Sequence, residues 1–213
     1  TIAALTPAAY TIRESPRFSN ADERKTPLLE SMWLTLINPA FLFIAVSTSF
    51  YWFSLQMVIA MLPYWVVNAL GRDESSVTLV MIPFLVMNIV GFVLFNVLTK
   101  RFGKYPMFLF TLLASGAVFL LFCAIGWFPL GTDFTQTIVV TGLLGIPVAG
   151  FMVIPFALLA DAVDFDEQRT GQRREAMFFS LQGVFQKPAL GLSAMTFGQL
   201  IFWGGTGTAT RAG

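Results

Sequence analysis

The sequence predicts an all-α membrane protein, a polytopic helical bundle, and three observations predict it. Of its 213 residues, 56% are hydrophobic and 12% charged, about half the charge fraction of an ordinary soluble domain. A soluble core of this size needs a charged shell, and the chain lacks the residues to build one. The apolar residues also gather into five runs, each near or beyond the ~20 residues that cross a bilayer. Finally, the lysines and arginines between those runs fall mainly on one side, as orientation in a membrane requires.

The composition also excludes function classes. The net charge of +1 does not suggest nucleic acid as a partner. With no histidine in the sequence, imidazole relays, histidine metal sites and Ser/His or Cys/His catalysis are ruled out for this chain. The single cysteine, Cys123, lies in an apolar run and reads as a small core residue. No phosphate loop, dinucleotide fingerprint or metal-ligand cluster is present. No catalytic residue, metal or cofactor is therefore expected. The start at Thr1, without methionine or a charged leader, reads as a piece cut from a longer protein.

In chain order, residues 1–30 read as the end of a preceding helix followed by a polar linker carrying Arg13, Arg17, Arg24 and Lys25. Glu30 to Asn38 reads as an amphipathic lead-in. Residues 31–204 form the bundle, with spans at about 39–67, 77–99, 105–128, 134–162 and 176–203. Pro63 is expected to kink the first span. Pro83, Asn88, Gly91 and Asn96 interrupt the second, which stops at Lys100, Arg101 and Lys104. The third closes at the turn-forming Phe128 to Asp133. The fourth carries Gly142, Gly145, Pro147, Gly150 and Pro155. It is either a broken helix of the kind that bends in transporters or a kinked structural helix. Residues 205–213 read as a flexible tail. Ten basic residues, including Lys100, Arg101, Lys104, Arg169, Arg173 and Arg174, fall on one side, against Arg72 and Arg211 on the other. That side is cytoplasmic.

Two sites emerge between Ala157 and Gly191. Lys187 lies ~17 Å into its span, near the bilayer midplane. A lysine there is costly and turns to the bundle interior, toward a carboxylate, carbonyls or a ligand. No acid of this chain sits at that depth. Ser180, Gly183 and Gly191 share its helix face, and Pro188 frees a carbonyl one turn earlier. For the glycines, close helix packing is the plainer account. Gln182 lies ~140° around the helix, outside that face unless Pro188 distorts it. The second site is the charged hairpin from Asp161 to Glu175. Asp161, Asp164 and Arg173 are candidates for ion pairs that close the cytoplasmic side. Asp166, Gln168, Arg169 and Arg174 read as a solvated loop.

The run Asp161-Ala-Val-Asp164-Phe-Asp-Glu167, with Arg169-Thr-Gly171, Arg173, Glu175, Phe179-Ser180 and Lys187, resembles the glycoside–pentoside–hexuronide:cation symporter family. These are melibiose-permease-type transporters of the major facilitator superfamily. The family pattern is approximately D-x-V-D-Y-G-E-x-K-T-G-x-R-x-E, then (F/Y)-S and K. The Lys100-Arg-Phe-Gly-Lys104 loop also looks like the superfamily's short basic loop. The resemblance implies a twelve-helix fold in two six-helix halves, of which this chain would hold the end of helix 6, the central loop and helices 7–11. It implies cation-coupled symport of a sugar or related solute, with Na⁺ or H⁺ bound mainly by the missing N-terminal half. Lys187 would lie near the cation and sugar sites, Gln182 would line the sugar cavity, and Asp161, Asp164 and Arg173 would form cytoplasmic gating contacts. The implied partners are the lipid bilayer, a small solute such as a sugar or glycoside, and the missing half. The implied location is a bacterial-type plasma (inner) membrane.

The sequence departs from the pattern at Phe165 for the tyrosine, at Asp166 for the glycine, and at Pro188 for a small residue. Met152 stands where melibiose-type members place a pocket tryptophan, which puts a galactoside-like substrate in doubt. Two other classes fit the same fold: a non-transporting membrane scaffold or assembly subunit, and a transporter of a lipid-like amphiphile.

Overall fold

The computed structural model describes residues 27–127, 129 and 131–209, and among these all regular structure is helical. The elements are α1 (Leu28–Leu36), α2 (Pro39–Tyr64) with a π-helical continuation (Trp65–Ala69), α3 (Ser75–Phe102), α4 (Lys104–Cys123), α5 (Asp133–Thr170) and α6 (Glu175–Ala209). The basic residues expected at Arg13, Arg17, Arg24 and Lys25 lie outside the described residues.

The lead-in becomes a separate short helix, α1, because Asn38-Pro39 starts a new one. The Asn38 side chain accepts from the amides of Ala40 (3.0 Å) and Phe41 (3.3 Å). Pro39 occupies the first helical turn, where its missing N–H costs nothing. Past Pro63, α2 does not simply kink. Its backbone opens into the π-helical turn, with the Leu70 amide bonded to the Trp65 carbonyl at 3.1 Å.

Among the described residues, four helices are long and apolar enough to cross a membrane: α2 with its continuation, α3, α4 and α5. The fifth expected span falls in α6, which has the length at 35 residues but is not among the apolar four. Gln182, Gln186, Lys187 and Gln199 lower its hydropathy. The backbone of residues 205–209, expected as tail, continues α6.

Helix α5 is the centre of the bundle: 56% of its most apolar stretch is buried, against 11% for α3. It is continuous over 38 residues, with Pro147 and Pro155 inside it, so the broken-helix alternative is not what forms. Its glycines serve close approach. A Cβ on Gly150 would lie 2.7 Å from Thr111 Oγ1 and 2.8 Å from the Phe95 ring, so α3 and α4 both press on this turn. Asn88 of α3, read as an interruption, donates its side-chain amide to the Gly145 carbonyl at 3.1 Å.

Three apolar clusters hold the helices. One joins α2, α5 and α6 through Phe41, Ile44, Leu159, Val163, Phe178 and Leu181. A second lies mid-bundle around Tyr51, Phe95, Phe108, Leu144 and Phe151. The third packs Leu62 and Val66 on Val80.

Candidate functional site

The first site is a small cavity where α2, α5 and α6 meet. Thr48 and Trp52 line it from α2, Phe151 and Pro155 from α5, and Gln182 and Gln186 from α6. Its volume is about 20 Å³, enough for one water or one hydroxyl group. The aromatic wall is held in place. The Tyr51 and Phe151 rings stack with centroids 3.5 Å apart, and Trp52 meets Phe151 edge-on at 5.8 Å. The Tyr51 hydroxyl is 2.9 Å from Ser115 Oγ.

Gln182 is buried, and its amide nitrogen donates to Thr48 Oγ1. Thr48 in turn donates to the Ile44 carbonyl at 2.7 Å. The Gln182 Oε1 atom is buried with no hydrogen-bond partner among the described residues. Such an acceptor carries a desolvation cost of about 1–3 kcal/mol unless something donates to it.

The structure does not bring Lys187 into this cavity. It is exposed on another face of α6, with no ion pair or hydrogen bond among the described residues. Ser180 and Gly191 are exposed beside it. A Cβ on Gly183 or Gly191 would meet nothing within 4 Å. Among the described residues, no helix packs closely on those glycines. Met152 is half-buried against the mid-bundle cluster and does not line the cavity.

The second site lies at the end of the bundle that carries the basic loops. The expected hairpin is a helix over most of its length. Helix α5 runs on to Thr170 and stops at Gly171, whose φ of 70° suits a left-handed cap. Asp161 pairs with Lys104 at 2.6 Å. Arg173 lies 3.7 Å from Asp164, 3.0 Å from Glu167 and 3.1 Å from Glu175. These side chains are all 41–59% exposed, so each pair is weak by itself and screened by salt. The hydrogen bond to Glu175 first, and the nearby charges of Glu167 and Glu175 next, push the Arg173 pKa above its ordinary value. The candidate gate is thus two clusters: Asp164 joins Arg173, and Asp161 does not.

Asp166 and Arg174 are corrected most sharply. Read as solvated loop residues, they form a buried ion pair, their side chains 6% and 5% exposed. Arg174 donates to Asp166 Oδ2 through Nη2 and, at 3.0 Å, through Nε. The Asn38 amide donates to Asp166 Oδ1 at 3.4 Å. Gln168 and Arg169 are solvated as expected, but on the last turn of α5 and not in a loop. A signal for the pair was present. Phe151, Pro155, Leu159, Ala162 and Val163 form one buried stripe on α5, and Asp166 is its next member. Arg174, Phe178, Leu181 and Gln182 do the same on α6. The error came from ending the helical period at Ala162. Lys104 and Glu167 were also missed as partners in the exposed clusters.

The sequence model of the family described as MFS/sugar transport protein matches residues 1–212. A curated relative, an uncharacterized symporter of Synechocystis sp., is 30% identical over 176 residues. That match covers 81% of this chain and 31% of the relative, so the chain spans less than a third of the relative's length. No solved structure matches.

Proposed function

The chain belongs to the MFS/sugar transport protein family, and on that premise we propose that it is part of a cation-coupled symporter carrying a sugar or related solute by alternating access. Membership makes it an integral, multi-pass membrane protein of a transporter family and not an enzyme. The solute, the coupling and the residue roles are the proposal. On this reading α2–α6 supply helices 7–11 of a twelve-helix fold. The coupling cation, Na⁺ or H⁺, binds mainly in an N-terminal half that completes the site.

One observation carries the reading. The buried, unpartnered Gln182 Oε1 stands beside a hydroxyl-sized cavity walled by Trp52 and Phe151. A polyhydroxylated solute offers what that cavity lacks: a hydroxyl of matching size that donates to the carbonyl oxygen. Gln182 contacts the solute. Lys187, exposed and unpaired among the described residues, organises the cation and substrate region with acids of the other half. Asp161, Asp164 and Arg173 stabilise the closed cytoplasmic face.

The test is uptake by the full-length protein in membrane vesicles, with a panel of radiolabelled sugars and glycosides, with and without a Na⁺ or a proton gradient. Gradient-dependent uptake of one panel member supports symport. Uptake of none of them, in vesicles shown to contain folded protein, overturns it.

A second reading, carriage of a lipid-like amphiphile, has one feature in its favour. A larger cavity of about 240 Å³ is walled by apolar Val58, Met61, Leu62, Trp65 and Phe122. Translocation of a fluorescent lysophospholipid by the same vesicles, with no sugar uptake, would select it.

A further inference from the structure

We propose that Asp166, Arg174 and Asn38 form a buried pin that fuses the ends of α2, α5 and α6 into one rigid unit at the charged end of the bundle. The make-and-break contacts of that face are then left to the exposed pairs of Lys104 and Arg173, a division of labour that rests on the gating role proposed above.

The two kinds of ion pair at this end differ in environment. The contacts of Lys104 and Arg173 are 41–59% exposed. Water replaces either partner at little cost when such a contact opens. The Asp166 and Arg174 side chains are 6% and 5% exposed. Separating them would strand an uncompensated charge in a dry site. The pair therefore stays closed while its neighbours exchange.

Its placement joins three helices rather than two. Asp166 sits in the last turns of α5, and Arg174 immediately precedes α6. Asn38 caps α2 with its side-chain oxygen and gives its amide to Asp166. Directly inward, the same three helices share the cluster of Phe41, Leu159, Val163, Phe178 and Leu181. There the Phe41 and Phe178 rings meet edge-on at 5.5 Å. One Arg174 nitrogen, Nη1, is buried without a partner. The pair is therefore not an optimised source of stability, and holding one arrangement of helices accounts better for its presence.

The test uses the full-length protein in detergent and in nanodiscs, and reads no transport, so it is decided independently of the solute. Asp166→Ala and Arg174→Met each lower the thermal midpoint, because each leaves one buried charge alone. The double variant recovers at least half of that loss, because neither charge remains. Additive losses would overturn the pairing. Spin labels at Ala40 and Gln168, both exposed, in a cysteine-free background then read the junction by pulsed EPR. The unsubstituted junction gives one narrow distance distribution, and the folded double variant gives a broader or second one. An unchanged narrow distribution in the double variant would show that the pair pins nothing.

Discussion

Asp161 of α5 pairs with Lys104 of α4 at 2.6 Å, and not with Arg173, which lies beyond the end of α5 at Thr170. That end of the bundle therefore carries two separate exposed clusters, which can be altered independently.

For the first cluster, Lys104→Ala and Asp161→Asn should each change the rate of uptake while leaving thermal stability nearly unchanged, as exposed pairs contribute little to it. The exchange Lys104→Asp with Asp161→Lys should restore much of the original rate. Uptake in vesicles checks this, and a double exchange no better than either single variant would remove the pair from the gate.

For the second, Arg173→Glu places like charge among Asp164, Glu167 and Glu175. It should raise the reactivity of cysteines introduced in the inner cavity toward a membrane-impermeant maleimide added from the cytoplasmic side. Because its acidic neighbours raise the Arg173 pKa, Arg173 stays protonated throughout the working range. Its contribution is complete below the ordinary arginine value and is lost only as pH rises beyond the raised one. Arg173 should therefore contribute no pH dependence to the labelling rate between pH 6 and roughly 9, and Arg173→Lys should leave the rate-against-pH profile unchanged in that range.

Gln182→Leu removes a buried amide whose carbonyl oxygen has no partner. Loss of an unsatisfied group offsets the lost bond to Thr48, so stability should change by less than about 1 kcal/mol. Solute binding should fall by roughly 10-fold or more, one to two hydrogen bonds' worth. Thermal unfolding and equilibrium binding, measured together, separate this outcome from simple misfolding.

Lys187→Ala and Lys187→Leu should insert and fold normally, because no residue described in this chain contacts the ammonium. Gradient-driven uptake should be abolished. Undiminished coupled uptake would remove Lys187 from the cation and substrate region.

Gly150→Ala should destabilise the bundle by about 1–3 kcal/mol, since the added methyl meets the Phe95 ring and Thr111 with no room to spare. Gly183→Ala meets nothing within 4 Å in this chain. A large loss of stability from it in the full-length protein would place another helix against that face.

What was legible in the sequence came from periodicity and local chemistry. Long apolar runs mark α2 to α5 because a bilayer leaves a backbone no option but to satisfy its own hydrogen bonds. Asn38-Pro39 and Gly171 mark helix ends through capping geometry alone. The helical angle between Gln182 and Lys187 already separated them, and the structure keeps them on different faces. The extent of α5 is not legible locally, because the charges from Asp164 to Glu167 suit a solvated loop as well as a helix. A helix can carry charge on its exposed side and still bury the next residue of its apolar stripe.

By itself, the sequence determined the membrane class, the helical elements, the side that gathers basic residues, and which residue types could bind or gate. Those properties depend on each residue and its near neighbours. Only the tertiary structure decided the partners: Lys104 for Asp161, Thr48 for Gln182, and Arg174 with Asn38 for Asp166. It also decided that one charge in the Asp161 to Glu175 stretch is dry while its neighbours are wet. The physical reason is that desolvation and pairing depend on what the other helices bring alongside. A residue's type sets what burial would cost, and the packing of α2 and α6 against α5 sets whether burial occurs.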